Sequence, residues 1–296
     1  TELWPNLCAA VQRHGAKLLL MNGRLSEKSY RGYGKLPRLI RPMMARFDAL
    51  AVQTRVEAGR YMALGAWPER VYPIGSVKFD MTLDTAVKQA ASQLRVSFGD
   101  RPVWIAASTH PGEDAPELAA HKTLRAQKPD ALLILVPRHP ERFDGVADQV
   151  REAGLSVARR SQQEPAADAA VYLADTMGEL LMLFGACDVA FVGGSLVPVG
   201  GHNLLEPAAW EKPVLTGPHL HNFTAIAQLL DDAGGLSVVD SGEELGDKLQ
   251  ALMCDPDQCA RQGQAAAAVV EANRGALEKG LELIAMEMNV GLRPSG

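Results

Sequence analysis

Short apolar segments alternate with amphipathic helical segments along almost the whole of the 296-residue chain. Ten of the apolar segments, such as residues 103–107 and 132–136, have the length and composition of buried strands. Parallel strands need crossover connections, and the helices that supply them cover both faces of the sheet. The alternation therefore predicts an α/β fold built on doubly wound parallel sheets.

The alternation loosens between residues 78 and 101, where a mixed linker and a short helix interrupt it. A chain of this length is expected to form about two domains, at roughly 100–200 residues each. We therefore predict that residues 1–80 are the end of one doubly wound domain. Residues 81–296 are predicted to form a second one, which ends in one or two helices with a break near 273–275.

Charge is distributed unevenly along the chain, whose net charge is −5. Residues 1–80 carry 13 Lys and Arg against 6 Asp and Glu, so basic residues are concentrated there. Seven of them recur at helical spacing: Arg24, Lys28, Arg31, Lys35, Arg38, Arg41 and Arg46. They form either an ordinary solvated surface or one that meets phosphate groups or an acidic membrane leaflet. Nucleic acid is disfavoured, because the segment lacks an aromatic stacking pattern and the whole chain is acidic.

Simple counts disfavour several classes of protein. No apolar run approaches the roughly 18 residues of a membrane helix. The four cysteines show no CxxC pairing and no metal-ligand spacing, which is typical of reduced thiols in a cytosolic protein. The glycine-rich segment matches neither GxGxxG nor GxxxxGK[ST], so NAD-dependent enzymes and P-loop ATPases are disfavoured as well.

One loop with suitable chemistry contains Pro137 and Arg138, directly after the strand at 132–136. In open parallel sheets, ligands bind at the carboxyl ends of strands, where loops lead into helices. Pro137 and Pro140 restrict this loop, and a guanidinium held there is suited to bind a phosphate through two hydrogen bonds. Alternatively, Arg138 caps a carboxylate of the protein itself.

A second loop contains Asp175, Thr176 and Gly178. Glycine lets the backbone approach a ligand closely, whereas Asp175 or Thr176 suits the N-cap of the helix that follows. Since an ordinary N-cap explains the pattern equally well, this loop alone is a weak indication of a ligand site.

The strongest pattern is the segment GGSLVPVGGHNLLE. Gly193, Gly194 and Ser195 follow a strand, and Gly201 shortly precedes a helix. Backbone amides without side chains that point along a helix axis form an anion site. Glu206 has two interpretations, since it belongs either to a capping box or to a site that accepts hydrogen bonds from a ribose diol.

Four further residues are secondary candidates. Glu2 falls at a strand-to-helix turn, His110 closes a strand, His202 precedes a helix, and Lys78 lies at the crossing between the two domains, where it could reach a bound anion. Glu2 and Lys78 are in the first predicted domain, and His110 and His202 are in the second. A single histidine is more often structural than catalytic, so direct contact with a substrate is one of two possibilities for each. No GxSxG motif and no plausible cysteine nucleophile is present.

A series of segments in this order resembles a known family: TELWPN, NGRLSEKSYRGY, GSVKFD, AASTHPGE, LVPRHPERF, DTMGEL, FVGGSLVPVGGHNLLEP and GPH…NF. They are similar to bacterial 3-deoxy-D-manno-octulosonic acid (Kdo) transferases of lipopolysaccharide synthesis, over nearly the whole chain. The resemblance implies a GT-B fold, with two Rossmann-like domains facing across a cleft, the first only partly present here. It also implies inverting, metal-independent transfer of Kdo from CMP-Kdo to the phosphorylated lipid A precursor, lipid IVA, at the cytoplasmic face of the inner membrane.

Carried onto this sequence, the resemblance implies a CMP site formed by Pro137, Arg138, Met177, Gly178, Glu179, Asn203, Leu204, Leu205 and Glu206. Arg138 and helix-terminal amides would stabilise the departing phosphate, Glu206 would hold the ribose, and the 177–179 turn would contact the nucleotide. The family's general base is a glutamate in an SVGE-like loop, which has no match here. We expect that base, and the family's hydrophobic membrane anchor, upstream of Thr1. Glu2 is expected to be a cleft residue, and the basic first segment to face lipid A phosphates or anionic lipid.

Two alternatives remain open at this point. One keeps the fold and changes the chemistry, to a UDP-sugar transferase or a nucleotide-sugar epimerase. The other is a nucleotide-binding module without catalytic activity. Binding of UDP rather than CMP would favour the first alternative. Binding of CMP without sugar transfer by a full-length protein would favour the second.

Overall fold

A computed structural model describes residues 3–289. The chain divides into two compact units. Unit 1 combines Thr1–Met81 with Ala272–Gly296, and unit 2 is Thr82–Glu271. The first boundary falls where the alternation of the sequence loosens. The chain after residue 271 returns to unit 1, whereas the sequence predicted that all of residues 81–296 form one domain.

The described strands and helices are numbered in chain order. The strands are β1 (Leu19–Gly23), β2 (Ala49–Val52), β3 (Val71–Pro73), β4 (Val103–Thr109), β5 (Leu132–Pro137), β6 (Val157–Arg159), β7 (Val171–Leu173), β8 (Val189–Val192), β9 (Val214–Thr216) and β10 (Leu236–Val238). The α-helices are α1 (Pro5–Arg13), α2 (Glu27–Gly34), α3 (Pro37–Met44), α4 (Arg55–Ala63), α5 (Thr85–Phe98), α6 (Asp114–Gln127), α7 (Phe143–Glu152), α8 (Leu180–Gly185), α9 (Leu205–Ala209), α10 (Thr224–Asp232), α11 (Gly242–Cys254), α12 (Pro256–Ala272) and α13 (Ala276–Met288).

Unit 1 is built on a three-stranded parallel sheet of order β1-β2-β3. The last helix, α13, packs against this sheet, where Leu283 is buried with Ala49 and Ala51 of β2. Asp80 fixes the start of that helix, because its carboxylate accepts hydrogen bonds from the backbone N–H groups of Gly275 and Leu277, both at 2.6 Å. These contacts explain why the C-terminal helix groups with unit 1 rather than with the second predicted domain.

Unit 2 is built on a seven-stranded parallel sheet of order β10-β9-β8-β4-β5-β7-β6. Its central strands are buried along their whole length, and Trp104, Leu133 and Phe191 lie in one apolar core. The chain leaves β4 for β5 on one side and later returns to the other side of β4 with β8. The connections therefore diverge at the carboxyl end of β4, which is where doubly wound sheets bind ligands.

The ten predicted strands are all present, with ends that differ by at most a few residues. The segment that was expected to hold a short helix contains the 14-residue helix α5, whose first turn is capped by Asp84. The predicted break near residue 273 separates α12 from α13. The four cysteines are unpaired thiols. No helix within residues 3–289 combines the length and the apolar character that crossing a membrane requires.

Candidate functional site

A cavity of about 220 Å³ lies where β4, β5 and β8 end. We call it the strand-end cavity, and its lining residues are Ser108, Arg138, Leu180, Phe184, Val192, His202, Asn203 and Glu206. Sites for drug-sized ligands are typically about 300–1,000 Å³, so this one is suited to part of a nucleotide-sized ligand. Three residues predicted for the nucleotide site, Arg138, Asn203 and Glu206, line it together.

The loop that carries Arg138 is tied to the end of β4. The backbone N–H of Arg138 donates to the carbonyl oxygen of Thr109 (3.0 Å), and the guanidinium of Arg142 donates to the same oxygen (2.6 Å). Arg142 also forms an ion pair with the buried Asp114. The Arg138 guanidinium itself has no carboxylate partner within residues 3–289, so the structure does not support the alternative in which it caps one.

Asn203 and Glu206, which both line the cavity, are joined by a hydrogen bond. The Asn203 side chain accepts a hydrogen bond from the backbone N–H of Leu205 (3.2 Å) and donates one to Oε1 of Glu206 (3.0 Å). Burial raises the pKa of Glu206, and the Asn203 amide opposes that change. Glu206 does not complete a capping box, because it accepts from the side-chain amide of Asn203 and not from a backbone N–H. Its second oxygen is left to accept hydrogen bonds from a ligand.

The glycine-rich turn after β8 binds an anion, but that anion is a carboxylate of the protein. Glu113 is fully buried, and its Oε2 accepts hydrogen bonds from the backbone N–H groups of Gly194 (2.7 Å) and His110 (2.9 Å). Its Oε1 accepts from the N–H groups of Ser195 (3.0 Å) and Leu196 (2.9 Å). The prediction that these amides form a ligand site is therefore wrong, because Glu113 already occupies them.

The other candidates of this turn are also used within the protein. The backbone N–H of Gly193 donates to Ala107 (2.8 Å), and that of Gly201 donates to the carbonyl of Gly194 (2.7 Å). The Ser195 hydroxyl is fully buried, where it donates to Val192 and accepts from the N–H of Gly217. These hydrogen bonds hold the turn that leads to the cavity.

Two histidines predicted as secondary candidates contact each other. Nε2 of His110 lies 2.8 Å from Nε2 of His202, and the two ring planes are within 11° of parallel, with centroids 5.1 Å apart. Burial and the neighbouring cationic groups lower the pKa of His202 to about 4, and burial lowers the pKa of His110 as well. His202 lines the strand-end cavity, and His110 lies behind it.

The Glu179 carboxylate is paired within the protein. Both oxygens accept hydrogen bonds from the guanidinium of Arg160, each at 2.6 Å, and one also accepts from the Thr176 hydroxyl. Met177 and Gly178 are exposed, and they do not line the strand-end cavity. The 177–179 turn exposes its backbone and the Met177 side chain, and its Glu179 carboxylate is held by Arg160.

Asp175 is buried, and it is not the N-cap that the sequence offered as an alternative. Its carboxylate accepts hydrogen bonds from the backbone N–H and hydroxyl of Ser161 and from Nε of Arg159. Burial alone would raise the pKa of Asp175, but these hydrogen bonds outweigh it and the pKa is lowered. Helix α8 begins at Leu180 without any side-chain cap.

The remaining predicted residues fall into three groups. Pro137, Leu204 and Leu205 are buried, so a ligand at the cavity would meet their backbone rather than their side chains. Lys78 is exposed in a short 3-10 turn of unit 1. Glu2 lies outside the described residues.

Sequence reasoning missed Leu180, Phe184 and Glu113 in this region, whereas the end of β4 with Ser108 was expected to face the site. Leu180 and Phe184 give the cavity an apolar wall, and no local pattern distinguishes them from core residues. Ser108 lines the cavity with a φ of +58°, a conformation that costs energy outside glycine and is often found at functional sites. Glu113 follows His110 by three residues, and this spacing could have suggested a turn but not its partners near residue 194.

No group of three or more His, Cys, Asp and Glu side chains in residues 3–289 could hold a metal ion. The charged groups that line the strand-end cavity are instead one guanidinium and one carboxylate. A guanidinium can bind a phosphate directly, through two parallel hydrogen bonds.

Comparisons of the sequence with known proteins indicate one family. A family model described as 3-Deoxy-D-manno-octulosonic-acid transferase (kdotransferase) matches residues 1–81. A 3-deoxy-D-manno-octulosonic acid transferase of Haemophilus influenzae is 40% identical over 295 residues, which are 98% of this chain and 69% of that protein.

Solved structures extend the comparison to the fold. The C-terminal CMP-Kdo binding domain of WaaA from Acinetobacter baumannii covers 63% of this chain and 99% of that chain, with a TM-score of 0.61 and 34% identity. A UDP-GlcNAc 2-epimerase from Neisseria meningitidis covers 94% of this chain and 72% of that chain, with a TM-score of 0.61 but only 13% identity, which shows the fold alone. The predicted class, a GT-B fold of α/β units on parallel sheets, is confirmed.

Proposed function

This chain belongs to the 3-deoxy-D-manno-octulosonic acid (Kdo) transferase family, and we propose that its unit 2 binds the sugar donor CMP-Kdo. The similar domain of WaaA is described as CMP-Kdo binding. The observation that carries the proposal is the shared position of Arg138, Asn203 and Glu206 in the strand-end cavity. One site therefore contains a cation that can bind a phosphate, Arg138, and a carboxylate that can accept hydrogen bonds from hydroxyl groups, Glu206.

Each of these residues has a role that its surroundings support. The Arg138 guanidinium, on a loop tied to β4, binds the phosphate of the donor and stabilises the negative charge that develops as CMP leaves. Glu206, held by Asn203, accepts hydrogen bonds from the ribose hydroxyls. The apolar wall of Leu180 and Phe184 borders the same cavity.

Charge on the leaving group determines the chemistry that this site favours. As the bond to the anomeric carbon breaks, negative charge builds on the CMP phosphate, and positive charge builds on the sugar. Fixed cationic groups that face the phosphate lower the energy of this state without reorganisation. The acceptor hydroxyl attacks from the opposite side, so the configuration at the anomeric carbon is inverted. No metal ion is required, because Arg138 supplies positive charge.

The acceptor is the phosphorylated lipid A precursor lipid IVA, at the anionic cytoplasmic face of the bacterial inner membrane. In unit 1, Lys28, Lys35 and Arg38 are exposed on α2, α3 and the turn between them. Leu36 and Leu39 are also exposed, by 58% and 50%. Basic residues beside exposed leucines are the combination that binds anionic lipid surfaces.

No glutamate of this chain matches the one in the family's SVGE-like loop. None is therefore assigned as the base that deprotonates the acceptor. We expect residues 1–296 to bind CMP without transferring Kdo. Robust transfer by this chain alone would show that the base is among its residues.

The proposal is tested by calorimetric titration of the chain with CMP and, separately, with UDP. We expect CMP to bind and UDP to bind at least about tenfold more weakly, a difference of about 1.4 kcal/mol. Preferential binding of UDP would favour the UDP-sugar enzymes that share the fold. Binding of CMP without Kdo transfer by a full-length protein would favour a nucleotide-binding module without catalysis.

A further inference from the structure

The His110–His202 pair has a hydrogen bond that restricts how many protons it holds. The two Nε2 atoms are 2.8 Å apart, and the ring planes differ by only 11°. An N···N hydrogen bond needs one nitrogen with a proton and one without. The pair therefore satisfies it when both rings are neutral, and also when one ring carries an additional proton. Two charged rings would face each other with two donors and no acceptor.

The charged surroundings of the pair are mostly positive. Arg138 and Arg142 lie on the loop after β5, and the ring of His139 meets that of His110 edge to face, with centroids 5.3 Å apart. Glu113 is the negative group that opposes them, and Glu206 lines the same cavity as His202. Burial and the cationic neighbours lower the pKa of both histidines, so the pair is uncharged at neutral pH in the absence of a ligand.

Both rings are held in place from the backbone. Oε2 of Glu113 accepts hydrogen bonds from the N–H of His110 and from the N–H of Gly194. Gly194 in turn lies directly against the His202 ring, since a Cβ there would be 2.8 Å from its Cδ2 atom. The spacing of the two rings is therefore set by a buried carboxylate and a close backbone contact.

We propose that the His110–His202 pair takes up one proton when the phosphate of the nucleotide enters the cavity beside Arg138, and that the resulting cation binds the phosphate together with Arg138. This inference rests on the proposed function. The proton comes from solvent and returns there when CMP leaves, and no bond of the nucleotide changes in this step. His202 faces the phosphate, whereas His110 positions it and shares the proton.

A bound phosphate reverses the electrostatics that keep the pair neutral. Its negative charge offsets the positive charge of Arg138 beside His202, so the charged form of the pair becomes favourable. The hydrogen bond between an imidazolium and an imidazole is charge-assisted and stronger than the neutral one. After transfer, CMP carries more negative charge on its phosphate than the donor did, and a second cationic group matches that change.

The test is calorimetric titration of the 296-residue chain with CMP at pH 7.0, in buffers of different ionisation enthalpy. The dependence of the measured enthalpy on the buffer gives the number of protons taken up per CMP. The phosphate of CMP titrates with a pKa near 6, and this contribution is common to every variant. His14→Asn, which removes an exposed histidine of unit 1, is the matched control.

We expect the wild-type chain and His14→Asn to take up at least about half a proton more than His110→Asn and His202→Asn. Equal uptake by all four proteins, with CMP bound, would overturn the role of the pair and leave the CMP site intact. Failure of the wild-type chain to bind CMP would overturn both proposals. If a variant fails to fold, imidazole nitrogen NMR of the wild-type chain decides, since CMP must convert one ring of the pair to its protonated form; two rings that stay neutral would overturn the inference.

Discussion

Oε2 of Glu113 lies 2.7 Å from the backbone nitrogen of Gly194, 81 residues further along the chain. The contact joins the start of α6 to the turn after β8, at the point where the sheet reverses its strand order. Because the same carboxylate accepts three further backbone hydrogen bonds, it fixes the turn that leads to His202 and Asn203. The position of three of the eight residues that line the cavity, His202, Asn203 and Glu206, therefore depends on one buried side chain.

Glu113→Gln should destabilise unit 2 by about 2–4 kcal/mol, because an amide presents one acceptor and two donors to four backbone N–H groups. Urea denaturation at pH 5 measures the change. Glu117→Gln is the matched control, since Glu117 is equally buried one turn along α6 but its oxygens have no hydrogen-bond partner among the described residues. We expect the control to change stability by less than about 1 kcal/mol at that pH. Equal losses in both variants would contradict the role assigned to Glu113.

Glu117 should make the protein less stable as the pH rises. Burial and the neighbouring carboxylates Glu113 and Asp114 raise its pKa well above the usual value of 4.5. Above pH 4.5 the unfolded chain loses this proton while the folded chain keeps it, so stability falls by about 1.4 kcal/mol per pH unit until the folded carboxyl ionises. Glu117→Gln should therefore gain stability relative to wild type between pH 5 and pH 7. A difference that does not change with pH would show that Glu117 is ionised in the fold.

His121 should make the protein less stable as the pH falls, which is the opposite of the effect of Glu117. Its Nδ1 accepts from the indole N–H of Trp104 (3.0 Å) and its Nε2 lies 2.9 Å from the carbonyl of Ala170, which fixes the neutral ring. Burial lowers the pKa of His121 to about 3. Below pH 6.5 the unfolded chain binds a proton that the folded chain does not, so this contribution to stability is lost as the pH falls, by about 1.4 kcal/mol per unit.

The measurement is urea denaturation of wild type and His121→Gln at pH 6.5 and pH 5.0. We expect the wild type to lose about 2 kcal/mol more than the variant over this interval. His202 contributes in the same direction to both proteins, because its pKa is lowered as well. Parallel losses in the two proteins would show that His121 takes up its proton in the folded state.

Gly194→Ala should weaken CMP binding by at least about tenfold and cost about 1–2 kcal/mol of stability. The residue has a φ of +66°, and an added Cβ would lie 2.8 Å from the His202 ring. Gly154→Ala is the control, since its φ is +75° but nothing lies within 4 Å of the added atom. That variant should lose stability and keep its affinity for CMP. If Gly194→Ala binds CMP as tightly as wild type, His202 is not part of the nucleotide site.

Local features of the sequence were sufficient to predict most of the architecture. The apolar segments at 103–107 and 132–136 are buried strands because a central parallel strand is covered on both faces. Arg138 was also predictable, since a strand end followed by two prolines places its side chain at the edge where ligands bind.

Polar contacts between distant segments could not be predicted from the sequence. The glycine-rich turn has the composition of an anion site, and only the fold reveals that Glu113 is its anion. The ion pair of Glu179 with Arg160, 19 residues earlier in the chain, is likewise visible only in the fold. Periodicity reports which face of an element is buried, but it carries no information about which polar groups meet across the fold.

The central claim is that the strand-end cavity binds CMP through Arg138, and affinity for CMP tests it most directly. Arg138→Ala and Arg151→Ala each remove one guanidinium from unit 2, and Arg151 lies on the exposed face of α7 in an ion pair with Asp148. We predict that Arg138→Ala weakens CMP binding at least about tenfold and, in a full-length protein, lowers Kdo transfer about 10²-fold, whereas Arg151→Ala changes neither. Equal affinity of both variants and wild type for CMP would contradict the account.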